Sequence, residues 1–265
     1  MTPKELRCKI RDGEMREQTG GLCPGYVQVN LAIIPARYAG DFARFCELNP
    51  KPCPVLAVSK PGDWTLPALG DDIDVRRDVP AYVSYEDGHY AGEHESLMDQ
   101  WDKEQFVTFA LGCSYSFDHI LVSSGLPVRH NELGGISPAY VTNVPNVQAG
   151  PFGGELVVSM RPFTPAQAIR AIEITSRYPH VHGAPVHFGD PAAIGIEDIY
   201  SPTYVGPVEF RKDELPVFWA CGVTPQRAIL SAKLPLAFAH KAGHMLVTDL
   251  ATADYVANRS EAGHD

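Results

Sequence analysis

The sequence contains no apolar run approaching the roughly 18 residues that a membrane-spanning helix requires. Its first twenty residues, MTPKELRCKIRDGEMREQTG, mix both charge signs and lack the apolar centre of a signal peptide, so a cytoplasmic location is expected. Also missing is any dense Lys/Arg run: 22 basic residues face 32 acidic ones, a formal net charge of −10. A phosphate backbone would meet net repulsion, which argues against a nucleic-acid partner. A small anionic substrate is compatible with that balance, because one or two well-placed arginines outweigh a distant field. A homo-oligomer is left open. No CxxC pair occurs among the cysteines at positions 8, 23, 46, 53, 113 and 221, which sets aside a zinc ribbon and a disulfide-dense scaffold. Reduced thiols are expected, and each is first a small buried hydrophobe.

What is present is an alternation of helical and strand-like stretches. Thr2 and Pro3 start a helix that ends near Asp12-Gly13. Strands are expected at VQVNLAIIP (27–35), a buried VLAV (55–58), AYVSYEDG and FVTFAL (106–111), with helices over 41–48, 95–102 and 118–124. The charged stretch DDIDVRRD (71–78) reads as a solvated loop. After residue 126 the character changes: AYVTNV, GELVVSM (154–160), the helix TPAQAIRAIEITSRY (164–178) and APVHFGD form a strand–strand–helix–strand run. PVFWACG (216–222), a helix after TPQRAI and MLVTDL (245–250) then return to the earlier pattern. The expected fold is α/β: an α/β domain with a mixed sheet over 1–126 and 213–265, interrupted by a smaller two-layer α+β domain at 127–212.

Three junctions share one grammar of apolar strand, polar turn and helix: FVTFALGCSYSFDHI, ELVVSMRPFTPAQAI and PVFWACGVTPQRAI. Thr before Pro suits an N-cap followed by N1, and capping alone explains much of the last two. The same geometry supports function, because helix N-termini at strand ends favour a carboxylate or phosphate. Cys113 and Cys221 each adjoin a glycine at such an end, where a helix N-terminus lowers a thiol pKa towards part thiolate, although the turn from Cys113 to Ser116 reads first as one wall of an anion cradle facing ACGVT. Arg161 follows GELVVSM as a bidentate carboxylate clamp. Ser116 is expected to cap its helix, with Asp118 in the first turn suiting the dipole. GCSYS approaches the GxSxG nucleophile elbow but has Ser116 in place of the second glycine, so a serine hydrolase is disfavoured. In YPHVHGAPVHFGD, His180 and His182 would share one strand face; metal binding and acid–base service by His182, His187 and Asp190 are both open.

The blocks QTGGLCPGYVQVNLAIIP, TFALGCSYSFDHIL, HGAPVHFGDPAAIGI and PVFWACGVTPQ resemble the bacterial hydro-lyase family that shares its domain with mitochondrial D-glutamate cyclase. The resemblance runs from Arg16 to Asp249, and it implies a three-layer α/β domain beside the smaller two-layer one. It implies a carbon–oxygen lyase that eliminates water from a small carboxylic or amino acid, as when D-glutamate closes to 5-oxo-D-proline. The site expected from these blocks has His182, His187, Asp190 and Cys113 as catalytic candidates. Ser114, Ser116, Arg161, Cys221, Thr224, Gln226 and Asn143 are the substrate-binding ones. No cofactor is required by this reading, and a divalent metal is left open. The rival reading is a non-catalytic carboxylate-binding protein or accessory subunit.

Overall fold

The apolar stretches become strands that pair only antiparallel, as the computed structural model of the chain shows for residues 1–204 and 206–255. Helix α1 (Pro3–Arg11) is closed at its start by a capping box between Thr2 and Glu5. Strand β1 (Tyr26–Pro35), helix α2 (Ala39–Leu48) and strands β2 (Val55–Val58), β3 (Tyr82–Glu86), β4 (His89–His94) and β5 (Phe106–Gly112) follow, then helices α3 (Tyr115–Ser123) and α4 (Arg129–Glu132). Strand β6 (Ala139–Pro145), β7 (Glu155–Phe163), helix α5 (Pro165–Thr175), β8 (His187–Phe188) and β9 (Leu215–Ala220) come next. Helix α6 (Thr224–Ala232) and strands β10 (Ala237–His240) and β11 (Leu246–Ala251) complete the order. No helix among the described residues is long and apolar enough to cross a membrane.

The larger sheet runs β2-β5-β1-β10-β3-β4, with β11 also on β1, and the smaller runs β6-β7-β9-β8. The two-residue period of β1 sends Val27, Val29, Leu31 and Ile33 to one face and Ala32 and Ile34 to the other. Phe42 and Phe45 of α2, with Ala228 and Ile229 of α6, cover the second face. Phe117 and Leu121 of α3, Ala168 and Ala171 of α5, and Phe163, Val217 and Trp219 of the smaller sheet cover the first. Each of the Val, Leu, Ile and Phe side chains adds roughly 1.5–3 kcal/mol of transfer free energy. The α/β class is as expected, with the large sheet between two layers.

Several particulars differ from expectation. The sheet is antiparallel in every pairing, not mixed. Strand β9, expected in the larger domain, is hydrogen-bonded to β7 and β8, so a boundary at 212/213 cuts through the smaller sheet. One apolar cluster also joins both sheets. VLAV is an edge strand, with Val55 39% and Val58 47% exposed, because an apolar run does not reveal whether a second neighbour will cover it. The helix expected at 95–102 is a 3-10 turn, Met98–Lys103, and strands β4 and β10 were not anticipated. Residues 256–265 of the expected main domain lie outside the described residues.

The stretch DDIDVRRD is no solvated loop. Asp74 and Asp78 are buried, and α1 drives two arginines into this segment. Arg11 Nε donates to Asp78 at 2.6 Å, and Arg7, fully buried, meets Asp72 at 2.5 Å and Asp249 at 2.9 Å. Arg76 closes a two-point pair on Asp74, both contacts at 2.8 Å. Buried charge persists there because each is paired, and the Arg7 and Arg11 pairings, across 60 or more positions, leave no local trace.

Candidate active site

Strands β5 and β9 end side by side, and the chain leaves each by a tight turn into a helix. At Gly112 a β-carbon would collide with the His180 carbonyl, so the glycine permits that close approach. Gly222 lies in the same way against the Asn30 carboxamide, which in turn donates to Gly112 O at 3.0 Å. Between them Asn30, Cys113, Ser114, Tyr115, Ser159, Tyr204, Cys221 and His240 line a cavity of about 30 Å³. That is roughly the space of one water molecule. Two of the three junctions thus converge, and the third contributes through Ser159 and Arg161 on β7.

Arg161 is fully buried behind the cavity wall. Its Nε donates to Asp118 Oδ1 at 2.8 Å, Nη1 to Ser159 Oγ at 3.2 Å and Nη2 to Ser114 Oγ at 3.2 Å. The guanidinium lies 5.2 Å from the Phe117 ring centroid and 5.4 Å from that of Trp219. The other Asp118 oxygen meets His130 Nε2 at 2.9 Å. Burial alone would raise the Asp118 carboxyl, but Arg161 and His130 outweigh it and hold it below the usual carboxylate range. Burial lowers His130 despite that carboxylate, so the imidazole is neutral at pH 7. Arg161 is therefore not the open clamp expected from sequence. Its charge reaches the cavity through two serine hydroxyls that accept from it, each keeping an O–H to donate.

The other expected site residues fall into three groups. Ser114, Cys113 and Cys221 line the cavity, but desolvation overrides the helix-end effect: the Cys113 thiol is pushed up to about 12 and the Cys221 thiol also upward. Both are protonated, not thiolate. A second group holds the frame. Ser116 does not cap α3, whose N-cap position is Ser114; its hydroxyl accepts from Gln28 N–H at 2.9 Å and stitches α3 to β1. Thr224 lies inside α6 and accepts from Val157 N–H at 3.1 Å, whereas Thr164 does cap α5, in a capping box with Gln167. Gln226 accepts from Tyr85 OH at 2.8 Å and donates to the His240 carbonyl at 2.9 Å.

The third group is elsewhere. Residues 179–181 form a 3-10 turn and His182 is left-handed at φ 81°, so His180 is exposed, His182 is buried and no strand face unites them. His182 Nδ1 contacts Lys51 O at 2.8 Å, and burial lowers the ring to about 4. His187 pairs with Phe218 across the ladder and stacks on its ring, on the sheet face opposite Arg161 and Ser159. Asp190 is exposed and caps a short turn through Ala192 N–H, and Asn143 is exposed at the register shift between Val141 and Pro145 of β6. The expected acid–base trio is thus dispersed. Among the described residues no group of three or more His, Cys, Asp or Glu is placed to hold a metal ion.

The family model of D-glutamate cyclase matches residues 107–249, the span carrying both strand ends, Arg161 and His240. A protein named "Putative hydro-lyase" from Paraburkholderia phymatum is 56% identical over 96% of this chain and 98% of its own. Its namesake from Paraburkholderia phytofirmans is 57% identical over 94% and 96%, and one from Bordetella petrii is 55% identical over 94% of each chain. The chain belongs to the D-glutamate cyclase family. Within that family it groups with the bacterial hydro-lyases. A solved nitrogen repressor-like protein from Methanococcus jannaschii aligns over 89% of this chain at a TM-score of 0.39 and 11% identity, an overlap too low to carry an argument.

Sequence reasoning missed Asn30, Tyr115, His130, Ser159 and His240, and took Asp118 for a dipole partner. Some signal existed. Asn30 and Ser159 are polar residues inside otherwise apolar runs, VQVNLAIIP and ELVVSM, where each needs a partner. His130 and His240 carried none, since a lone histidine has no periodic context.

Proposed function

We propose that the cavity at the ends of β5 and β9 is where this hydro-lyase removes water from a small carboxylic or amino acid, with D-glutamate as the first substrate to test. The observation that carries this reading is the pair of serine hydroxyls, Ser114 and Ser159, each accepting from the buried Arg161 and bordering one cavity. In cyclisation the α-ammonium passes one proton to the γ-carboxylate and its nitrogen attacks the carboxyl carbon; a C–N bond forms, a second proton leaves nitrogen, and the oxygen carrying both departs as water, with one N–H kept. Charge builds on the carboxyl oxygens as the tetrahedral centre forms. Two polarised O–H donors would stabilise it, each donor contributing about 3 kcal/mol when held in a dry site. A serine hydroxyl both gives and takes a proton, so transfer from amine to departing oxygen needs no charged base. The water-sized cavity implies that Tyr115 or the Ile136–Ser137 wall shifts to admit the substrate, since a neighbouring pocket of about 270 Å³ adjoins Tyr115.

The test is incubation of purified protein with D-glutamate, L-glutamate and a set of 2- and 3-hydroxy acids, with and without divalent metal, followed by NMR. Formation of 5-oxo-D-proline supports the reading, and loss of about 10²-fold in Ser114→Ala or Ser159→Ala locates the step. Turnover of a hydroxy acid alone would replace cyclisation by β-elimination at the same donors. No turnover of any acid, with tight dicarboxylate binding, would replace the lyase by a carboxylate-binding protein.

A further inference from the structure

Strand β1 has a gap along one edge. Strand β11 pairs with its first half, at Tyr26, Gln28 and Val29, and β10 with Ala32 and Ile33, which leaves Asn30 and Leu31 without a strand partner on that side. The side chain of His240, the last residue of β10, fills the gap. Its Nδ1 lies 3.1 Å from Leu31 N and 3.4 Å from the Leu31 carbonyl oxygen. The nearer group can only donate, so Nδ1 accepts and the proton of the neutral ring resides on Nε2.

The ring is buried yet borders the same cavity as Ser114 and Ser159. Among the described residues no hydrogen bond is made by Nε2. Its backbone is fixed as well, since Gln226 donates to the His240 carbonyl and is itself held by Tyr85. We propose that His240 is a neutral imidazole donor, its Nε2–H presented to the cavity to bind a carboxyl oxygen of the substrate opposite the two serines. This rests on reading the cavity as the site of carboxyl chemistry.

Neutrality follows from the surroundings. Asn30, Cys113, Cys221, Tyr115 and Tyr204 share the cavity and are uncharged at pH 7; Lys241, next in the chain, is ion-paired with Glu93 at 2.7 Å, and His244 acts to lower the ring further. Burial lowers the His240 ring to about 4. A neutral donor of this kind strengthens as negative charge grows on the oxygen and needs no reprotonation between turnovers.

Two measurements on the full chain decide the proposal. In ¹⁵N-detected histidine NMR the expected result is an Nε2–H tautomer, neutral from pH 7.5 to pH 5.5, whose Nε2 resonance shifts on adding glutarate. An Nδ1–H tautomer, protonation near pH 6.5, or no shift at saturating glutarate would overturn it. In the second, His240→Ala is expected to weaken glutarate binding at least about 10-fold. His240→Gln, which can accept from Leu31 and still donate, is expected to retain most of it. Equal affinity in wild type and both variants would overturn the donor role. If D-glutamate proves not to be a substrate, the tautomer and glutarate results still stand or fall on their own.

Discussion

Removing the charge of Asp118 while keeping its shape tests how the candidate site is held. Asp118 and Arg161 are 2% and 0% exposed and 2.8 Å apart, so neither charge has water to fall back on. In Asp118→Asn the guanidinium keeps only hydroxyl and amide acceptors, and an uncompensated buried charge of this kind costs about 3–5 kcal/mol. That is a large part of the 5–15 kcal/mol typical of a folded protein. Arg161→Met should cost a similar amount, because it strands the carboxylate beside a neutral His130. The double variant carries neither charge and should lose less than either single one, since an apolar replacement of a buried pair is often close to neutral. Urea denaturation at pH 7, followed by tryptophan fluorescence, measures all three. A loss below about 1 kcal/mol in Asp118→Asn, or a double variant whose loss is the sum of the single ones, would refute the assignment of Arg161's charge to Asp118.

Acid should destabilise the protein well above the carboxylate range. His182 and His240 are lowered from 6.5 to about 4, so the unfolded chain binds more protons than the folded one between those values. Stability therefore falls as pH drops through that window, by about 2 kcal/mol per histidine between pH 7.5 and 5, and melting temperatures at those two pH values check the sign. Gly222→Ala should displace the Asn30 carboxamide, costing about 1–3 kcal/mol by calorimetry and most of any activity, because the added methyl has no free space. Cys113, with its thiol pushed up to about 12, should resist iodoacetamide at pH 8 in the folded protein and react only after unfolding, as peptide mass spectrometry would show.

Much of the frame was legible. The capping boxes at Thr2 and Thr164 were written in local spacing, and so were the buried strands β5 and β9. The strand-end glycines of GCSYS and ACGVT were legible too, because close backbone approach at Gly112 and Gly222 demands glycine. The thiolate reading failed for one reason: local sequence shows a nearby helix N-terminus but not the burial that outweighs it. The histidine trio failed because alternation was assumed across a segment that turns, with Gly183 and a left-handed His182 breaking the strand.

Which stretches are apolar, where the capped helices α1 and α5 start and which glycines bend the chain all follow from residues within a turn or two of one another. Only the tertiary structure decided that Arg161 answers to Asp118, 43 positions away, and that His240 closes a gap at Leu31, 209 positions away. Such pairings are enforced by desolvation, which penalises a buried polar group left without a partner, and the identity of that partner is a property of the packed chain.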